Sequence, residues 1–539
     1  MREIAQIGSV IGREFGYDLL ADISPLGENE LRNGLAQLVS AELLFRRGRP
    51  PNEEFLFKHA LVRDAAYDGI LKSRRRQIHK AVVEAIEARS PEARATQPEL
   101  LAQHYEEAGL ALNAIPLWIA ASQSASTRAA YADGVQHAER GLRLFANLPE
   151  AERSPKVEID LLSARAISII PVRGYGDPQV SEACDRIAEL SAEVEDSPEL
   201  LPSLFWVSVT LWNAGDIQGT SQYLDRMLRI ADRSNDLRFK ISVNGYAGPV
   251  LVHVPDFEKS RACTTFVVEN YDPEMHEELN QLFGQNLGVN GHSWHSLRLA
   301  FEGLPEQSMQ ITRDAVDLAR RYDHPFNFPL VLLVACWTAH VCCDRSAARA
   351  WAEESVEYCT DRQVLYWLGI SKTQHALANL LHGDPTCNVQ EFEEVLAMYA
   401  AMGVRIQFEL SGTALALANE EIGNAARCDE LLAEASVFGE TYPDFYAQVF
   451  AHLLRGQIFE RRKQVQKAAQ SYRAMHDLSA QAGARLTQLR GAVNLARLMR
   501  DDGQLREARD LLSPLYESFT EGHGLPDLIE AKARLKDLA

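Results

Sequence analysis

The sequence predicts a mainly α protein: an α-solenoid of paired helices preceded by a small domain that also holds a β-hairpin. Three observations predict it. From Glu99 onward apolar residues recur at spacings of three and four, the period of a helix face. A turn, a small or charged starter and an Ala/Leu-rich helix return together at intervals of about 40 residues. Only the first 90 residues break the pattern, and their charge differs as well.

Within those 90 residues, "EIAQIGSVIG" and "YDLLADIS" read as short amphipathic helices. "GENELRNGLAQLVSAEL" is a longer one, with Leu31, Leu35, Leu38 and Val39 on one face. "LLFRR" and "FLFK" flank the turn-rich "GRPPNEE" and read as a β-hairpin. Helix, helix, helix, hairpin is the order of a winged-helix domain. A helix over His59–Leu71 follows, with Leu61, Val62, Ala65, Ala66 and Ile70 as its apolar positions. "SRRRQIHKAVVEAIEARS" is a further helix.

The repeats come next. Starts fall at Gly215, Asp256, Pro305, Arg345, Gly423, Gln464 and Gly503, with a weaker copy near Gly383 and a longer step between Asp256 and Pro305. Earlier, tighter copies lie around "NAIPLWIAASQSA" and "YADGVQHAERGLRLF". Such repeats bury their core between neighbouring helix pairs and leave a long concave face for a peptide or protein partner. Softer boundaries fall at Ser90–Gln97 and Ile169–Pro178. The expected domains are 1–90, a winged-helix-like domain with its following helix; 91–175, the first helical repeats; and 176–539, the solenoid.

Composition narrows the function. The chain has 539 residues, 46% of them apolar, but no apolar run reaches the roughly 18 residues of a membrane span. No signal-peptide pattern opens it, so a cytoplasmic protein without a membrane role is expected. The eight cysteines form no CxxC pair, which fits a reducing compartment and no zinc framework. A net charge of −20 disfavours nucleic acid as a general partner. Yet residues 1–90 hold 14 Lys/Arg against 13 Asp/Glu, and Leu44–Lys80 hold ten against four. Arg46, Arg47 and Arg49 near the hairpin therefore raise an alternative, a DNA-binding transcription regulator whose wing contacts phosphates.

An ordered set of phrases carries a resemblance: "VIGREFGYDLL", "FLFKHALVRDAAYDGIL", "RRRQIH", "PELLAQHYEEAGL", "AIPLWIAASQSA", "VENYDPEMH" and "LLAEASVFGETYPDFYAQVFAHLLRGQIF". With them the chain resembles the C-terminal region of bacterial STAND-class signal-transduction ATPases and class III adenylate/guanylate cyclase regulators. That region is a winged helix followed by tetratricopeptide-like repeats. The repeat here is longer than the roughly 34 residues of a tetratricopeptide unit. The resemblance implies a sensor arm that passes a signal to an ATPase or cyclase unit. Against that family the front is missing, so the chain resembles either the rear part of a longer protein or a stand-alone paralogue. No G-x-x-x-x-G-K-[ST] occurs, and neither does the aspartate pattern of a cyclase. The chain is expected to be non-catalytic and to need no cofactor.

The resemblance gives His59 a role. In "FKHALVRDAAY" it stands where STAND proteins place a nucleotide-sensing histidine, followed here by Ala60 where several families have Asp. That contact needs an ATPase domain from outside this chain; otherwise His59 packs or caps within its own domain. Arg74, Arg75, Arg76, His79 and Lys80 read as an exposed basic helix face. His292 and His295, with Cys336, His340, Cys342 and Cys343, have ligand-like spacing, but packing is the ordinary role of such residues. Trp118, Trp206, Trp212, Trp294, Trp337, Trp351 and Trp367 read as core, with any that face the groove serving as binding anchors.

Overall fold

A computed structural model describes residues 1–49, 52–381, 388–405 and 407–538. The chain divides into two compact units, Met1–Arg165 and Ala166–Ala539. The weaker repeat start near Gly383 lies outside the described residues.

The first unit begins with α1 (Arg2–Ile11), β1 (Glu14–Gly16), α2 (Tyr17–Ile23) and α3 (Glu28–Ser40). Then come β2 (Leu44–Arg47), β3 (Glu54–Phe57), α4 (Ala60–Asp68) and α5 (Lys72–Arg89). The expected hairpin is present as β2 and β3, paired antiparallel with Phe45 opposite Leu56. A third strand was not legible. β1 pairs with β3 through Phe15 and Phe55, giving the order β1-β3-β2. Three residues are too few to show alternation, but Phe15 is buried against Phe55 and Phe57. The core gathers Ile4, Leu20, Leu31, Leu35, Phe57 and Val82.

α4 departs from expectation. None of its residues is buried, Leu61 is 80% exposed and Ala65 is exposed. Val62 and Ala66 are half-buried, and the buried Ile70 lies beyond the helix end. The apolar positions share one face, but no neighbour covers Leu61 at its edge. The rest of this unit is α6 (Ala93–Thr96), α7 (Pro98–Ala108), α8 (Ala111–Thr127), α9 (Tyr131–Ala146) and the start of α10 (Pro155–Arg173). Val83 of α5 joins Leu101, Tyr105, Leu117 and Trp118 in a second cluster.

The second unit is a run of helix pairs. It contains α11 (Pro178–Ser191), α12 (Leu201–Ala214), α13 (Ile217–Arg233), α14 (Leu237–His253), α15 (Phe257–Asn270) and α16 (His276–Phe283). It continues with α17 (Leu287–Phe301), α18 (Pro305–Tyr322), α19 (Asn327–Val341), α20 (Arg345–Asp361), α21 (Leu365–Leu381) and α22 (Val389–Ala401). α23 (Phe408–Glu421), α24 (Ala425–Thr441), α25 (Phe445–Arg461), α26 (Val465–Ala482), α27 (Arg485–Asp501), α28 (Leu505–Glu517) and α29 (Pro526–Asp537) complete it. α13 and α15 start 40 residues apart, at 217 and 257; so do α18 and α20, at 305 and 345, and α26 and α28, at 465 and 505. The longer step from α15 to α18 accommodates α16.

Local chemistry sets this rhythm. Tight turns inside several pairs use a left-handed residue, such as Gly215 (φ 87°) or Gly503 (φ 82°). Asp216, Asp256 and Asp344 then cap α13, α15 and α20, each carboxylate accepting a backbone N–H three residues on. The outer helices α13, α18 and α28 are amphipathic, with one buried stripe. Several inner helices are buried almost all round. Every residue of α17 except His292 is buried, and every residue of α19 except Leu330.

That burial has a cause the repeat pattern does not show. The inner faces meet one another across the coil rather than leaving a long open concave face. His253 Nδ1 donates to Asp444 at 2.7 Å, bridging 191 residues. Trp337 packs on Tyr446, and Phe301 packs on Phe445. Arg485 donates to the Glu302 carbonyl at 2.7 Å, and Arg490 to the Val341 carbonyl at 2.7 Å. Gly176 N donates to the Met402 carbonyl at 2.8 Å, and Arg405 N to the Asn213 carbonyl at 2.8 Å.

Candidate functional site

The first unit contains the residues with the sharpest sequence hypotheses. His59 is the exposed N-cap residue of α4, in extended conformation, and its side chain makes no capping bond. Its carbonyl accepts from Val62 N at 3.0 Å. The imidazole thus neither packs nor caps; it stands open at a helix N-terminus.

Arg46, Arg47 and Arg49 are all exposed. Arg46 is ion-paired with Glu53, which is 5% exposed and also holds Arg32 at 3.1 Å. Arg47 lies 3.6 Å from Glu14. Two of these three arginines therefore already face carboxylates, which lowers the positive potential a phosphate would meet.

The basic helix is not a uniform solvated face. His79 is buried. Its Nε2 meets the Tyr67 hydroxyl at 3.0 Å and its Nδ1 meets His104 Nδ1 at 2.9 Å. Burial lowers both imidazoles to about 4, His79 with help from Arg75 and His104 with help from His79. Arg75 covers the Tyr67 ring, 4.1 Å from its centre. The 3–4 spacing on α5 that puts Arg75 and His79 on one face turns that face toward α4 and α7.

Among the described residues, no group of three or more His, Cys, Asp or Glu side chains could hold a metal ion. His292 Nδ1 lies 2.9 Å from the Gly288 carbonyl, and His295 Nδ1 lies 3.1 Å from Thr264 Oγ1. Cys336 and Cys342 are buried.

The tryptophans lead elsewhere. Trp212, Trp294 and Trp367, on α12, α17 and α21, line one cleft in the second unit together with Tyr175, Tyr246 and Phe326. The cleft has a volume of about 490 Å³, its open mouth included. None of its lining residues carries a charge. Its rings meet edge to face: Tyr175 on Tyr366 at 5.4 Å, Phe326 on Trp367 at 5.1 Å and Phe205 on Tyr246 at 4.8 Å. Its polar groups are mostly engaged. Tyr366 donates to Asn213 at 3.3 Å, Tyr246 to Ser208 at 2.9 Å, and Asn290 to Gln285 at 3.0 Å. Trp212 and Trp367 differ, because their buried indole N–H groups have no acceptor among the described residues. Trp337, one inner helix before Trp367, has one in Gln374 at 3.0 Å.

No family model matches the chain. A curated protein of Rhizobium meliloti (strain 1021), described as uncharacterised, is 26% identical over 249 residues, 45% of this chain and 24% of that protein. The match thus spans about a quarter of the length of that relative. Among solved structures, a Rap protein complexed with competence and sporulation factor aligns with a TM-score of 0.52 at 11% identity, covering 70% of this chain and 99% of that one. A STAND ATPase with a tetratricopeptide repeat sensor from Pyrococcus horikoshii aligns at 11% identity over 100% of this chain and 65% of that one, with a TM-score of 0.31. The fold is a tetratricopeptide-like helical solenoid.

Sequence reasoning reached the three cleft tryptophans only as possible groove anchors and missed Asn213, Tyr175 and Tyr366. A usable signal was present: α12 and α19 carry no Asp, Glu, Lys or Arg on any face, which an open groove lined by water would not require.

Proposed function

We propose that this chain is a non-catalytic regulatory and protein-interaction module, the sensor arm of a signal-transduction ATPase or adenylate cyclase system. The observation that carries the reading is the closed inner wall of the solenoid with its uncharged aromatic cleft. Aromatic, largely buried concavities are where binding energy concentrates. The order of α1, β1, α2, α3 and the β2–β3 hairpin supports a winged-helix-like domain over 1–90. Residues 91–175 would be the first repeats and 176–539 the sensing solenoid, in a cytoplasmic protein. The partner or peptide would bind the solenoid and shift it between a closed and an opened coil; only a ligand with different affinity for the two states can do this. The Rap likeness supports a fold compatible with such binding, since that protein was solved with a bound factor. In this reading the exposed His59 meets the nucleotide of an ATPase domain supplied from outside these residues. No helix among the described residues is long and apolar enough to cross a membrane.

The test is quantitative affinity capture with the full chain, alongside an ATP-turnover assay of the purified protein. A saturable protein partner and no turnover are expected. ATP hydrolysis by the chain alone, with no partner recovered, would overturn the reading. DNA binding through Arg46, Arg47 and Arg49 is the weaker alternative, and a gel shift at low salt tests it.

A further inference from the structure

We propose that the outer face of the second unit holds a docking groove, between α22 and α24, for a basic amphipathic helix of a protein partner. The proposal rests on the interaction-module reading and adds the place and the chemistry of the partner. Shape, size and charge carry it.

Shape comes first. α22 and α24 are outer helices of successive pairs, and the inner helix α23 lies beneath them. Leu396 and Ala400 of α22, Phe408 and Leu415 of α23, and Leu431 and Ala435 of α24 line one groove. On each helix the lining positions recur at spacings of three and four, so three helix faces converge on it. Every lining residue except Glu393, Arg427 and Glu434 is apolar. The groove is open to solvent: Ala397 and Ala400 at its mouth are exposed and Phe408 is half-buried. Leu396, Leu415 and Leu431 form a buried floor.

Size selects the kind of occupant. The groove has a volume of about 190 Å³. Small-molecule sites begin at roughly 300 Å³. This one suits an anchor side chain, Leu or Phe, that projects from a peptide. Helices that dock into apolar grooves use such anchors at i, i+3 or i+4, and i+7.

Charge decides what flanks the anchor. α22 and α24 together carry seven Asp/Glu and one Lys/Arg. Lys372 donates to Glu391 at 3.5 Å, and Arg462 donates to Asp429. Arg427 is left to face three carboxylates. It donates to Glu393 across the groove at 3.1 Å and to Glu430 at 3.1 Å, and it lies 3.7 Å from Glu434. The rim therefore keeps a net negative charge beside an apolar floor. Glu430 and Glu434 are exposed, and ion pairs in such positions contribute little. A Lys or Arg of an incoming helix can share these carboxylates with Arg427 at small cost. The same rim repels an acidic peptide or a phosphate.

Fluorescence anisotropy of a labelled synthetic helix, titrated with the full chain, tests this. The probe has about 14 residues, with Leu, Phe and Leu at i, i+3 and i+7 on one face and Lys on both flanks. One control peptide has Glu in place of Lys; the other has Ala in place of the apolar face. The Lys probe is expected to bind saturably, about tenfold tighter than either control. Raising NaCl from about 50 to about 300 mM should weaken it. A397W fills the mouth from an exposed position and should weaken the probe about tenfold. E430Q/E434Q should weaken it about fivefold and flatten its salt dependence. V465S, at an exposed position of α26, should change nothing. If A397W fails to fold by circular dichroism, A400W takes its place. Equal binding of either control peptide, or Lys-probe binding indifferent to the groove-filling variant, overturns the proposal. So does a dimer of the chain in sedimentation that A397W dissolves, because the groove then takes a second copy. Capture of a protein partner that A397W leaves undiminished sinks this inference and leaves the module reading standing.

Discussion

Replacing Asp444 by Ala should loosen the closed coil at two places that are 191 residues apart. The Asp444 carboxylate accepts His253 Nδ1–H at 2.7 Å and caps α25 by accepting Ala447 N at 3.1 Å. A buried hydrogen bond to a charged group contributes about 1.5–3 kcal/mol, and an N-cap about 1 kcal/mol. The side chains are 0% and 7% exposed, so solvent will not replace the lost partner for His253. D444A should therefore cost about 3 kcal/mol. H253F keeps a ring against Trp212, Trp294 and Trp337, whose centroids lie 5.4, 6.0 and 5.6 Å from that of His253. It leaves the cap but orphans the carboxylate. The double-mutant cycle between these changes should return a coupling of about 2 kcal/mol in urea unfolding followed by circular dichroism. Hydrogen exchange should rise in α14 and α25 together. Q374L offers a local control, because Gln374 accepts Trp337 Nε1 from a neighbouring inner helix; its effect should stay in α19 and α21. A coupling below about 0.5 kcal/mol, or exchange that rises in α25 alone, would refute the argument that these faces close the coil.

Three more predictions follow from the packing. Gly176→Ala should destabilise the second unit by about 2 kcal/mol in thermal unfolding, because the new Cβ would lie 2.5 Å from Gly403 Cα, backbone that cannot swing aside. L61S should shift the melting temperature by less than about 1 °C, since Leu61 is 80% exposed, whereas I70A, at 6% exposure, should cost about 2–4 kcal/mol. The His79–His104 pair should make the first unit acid-sensitive. Burial holds both at about 4 when folded, so the unfolded chain binds more protons between about pH 6.5 and 4. Stability is full above pH 6.5 and falls as pH drops through that window, on the order of 2 kcal/mol after allowing for solvent screening. Hydrogen exchange of α5 and α7 at pH 7 and pH 5 reads this, and an H79F variant with the same pH dependence would count against it.

Much of the fold was legible because its rules are local. A left-handed residue, an acidic cap and one apolar stripe are properties of about 20 consecutive residues, so Gly215-Asp216 announces α13 without any other part of the chain. The hairpin was legible for the same reason, whereas β1 was not, since Phe15 becomes a strand residue only when Phe55 lies beside it. α4 was misread because periodicity marks where apolar residues sit on a helix and not whether a neighbour covers them; Leu61 has none. His79 was misread in the opposite sense. It sits in a basic run, yet Tyr67 and His104 enclose it.

The candidate site was the least legible part. Seven tryptophans could be named from the sequence, and three of them meet at the cleft. The sequence by itself determined the helix pairs and their step of about 40 residues. Only the tertiary structure decided that the inner helices close on each other, bringing Asn213 to Tyr366 and Arg405, and His253 to Asp444. The reason is geometric. Each pair adds a small rotation to the next, and whether distant repeats meet depends on the sum of many such rotations, which no single stretch of sequence records.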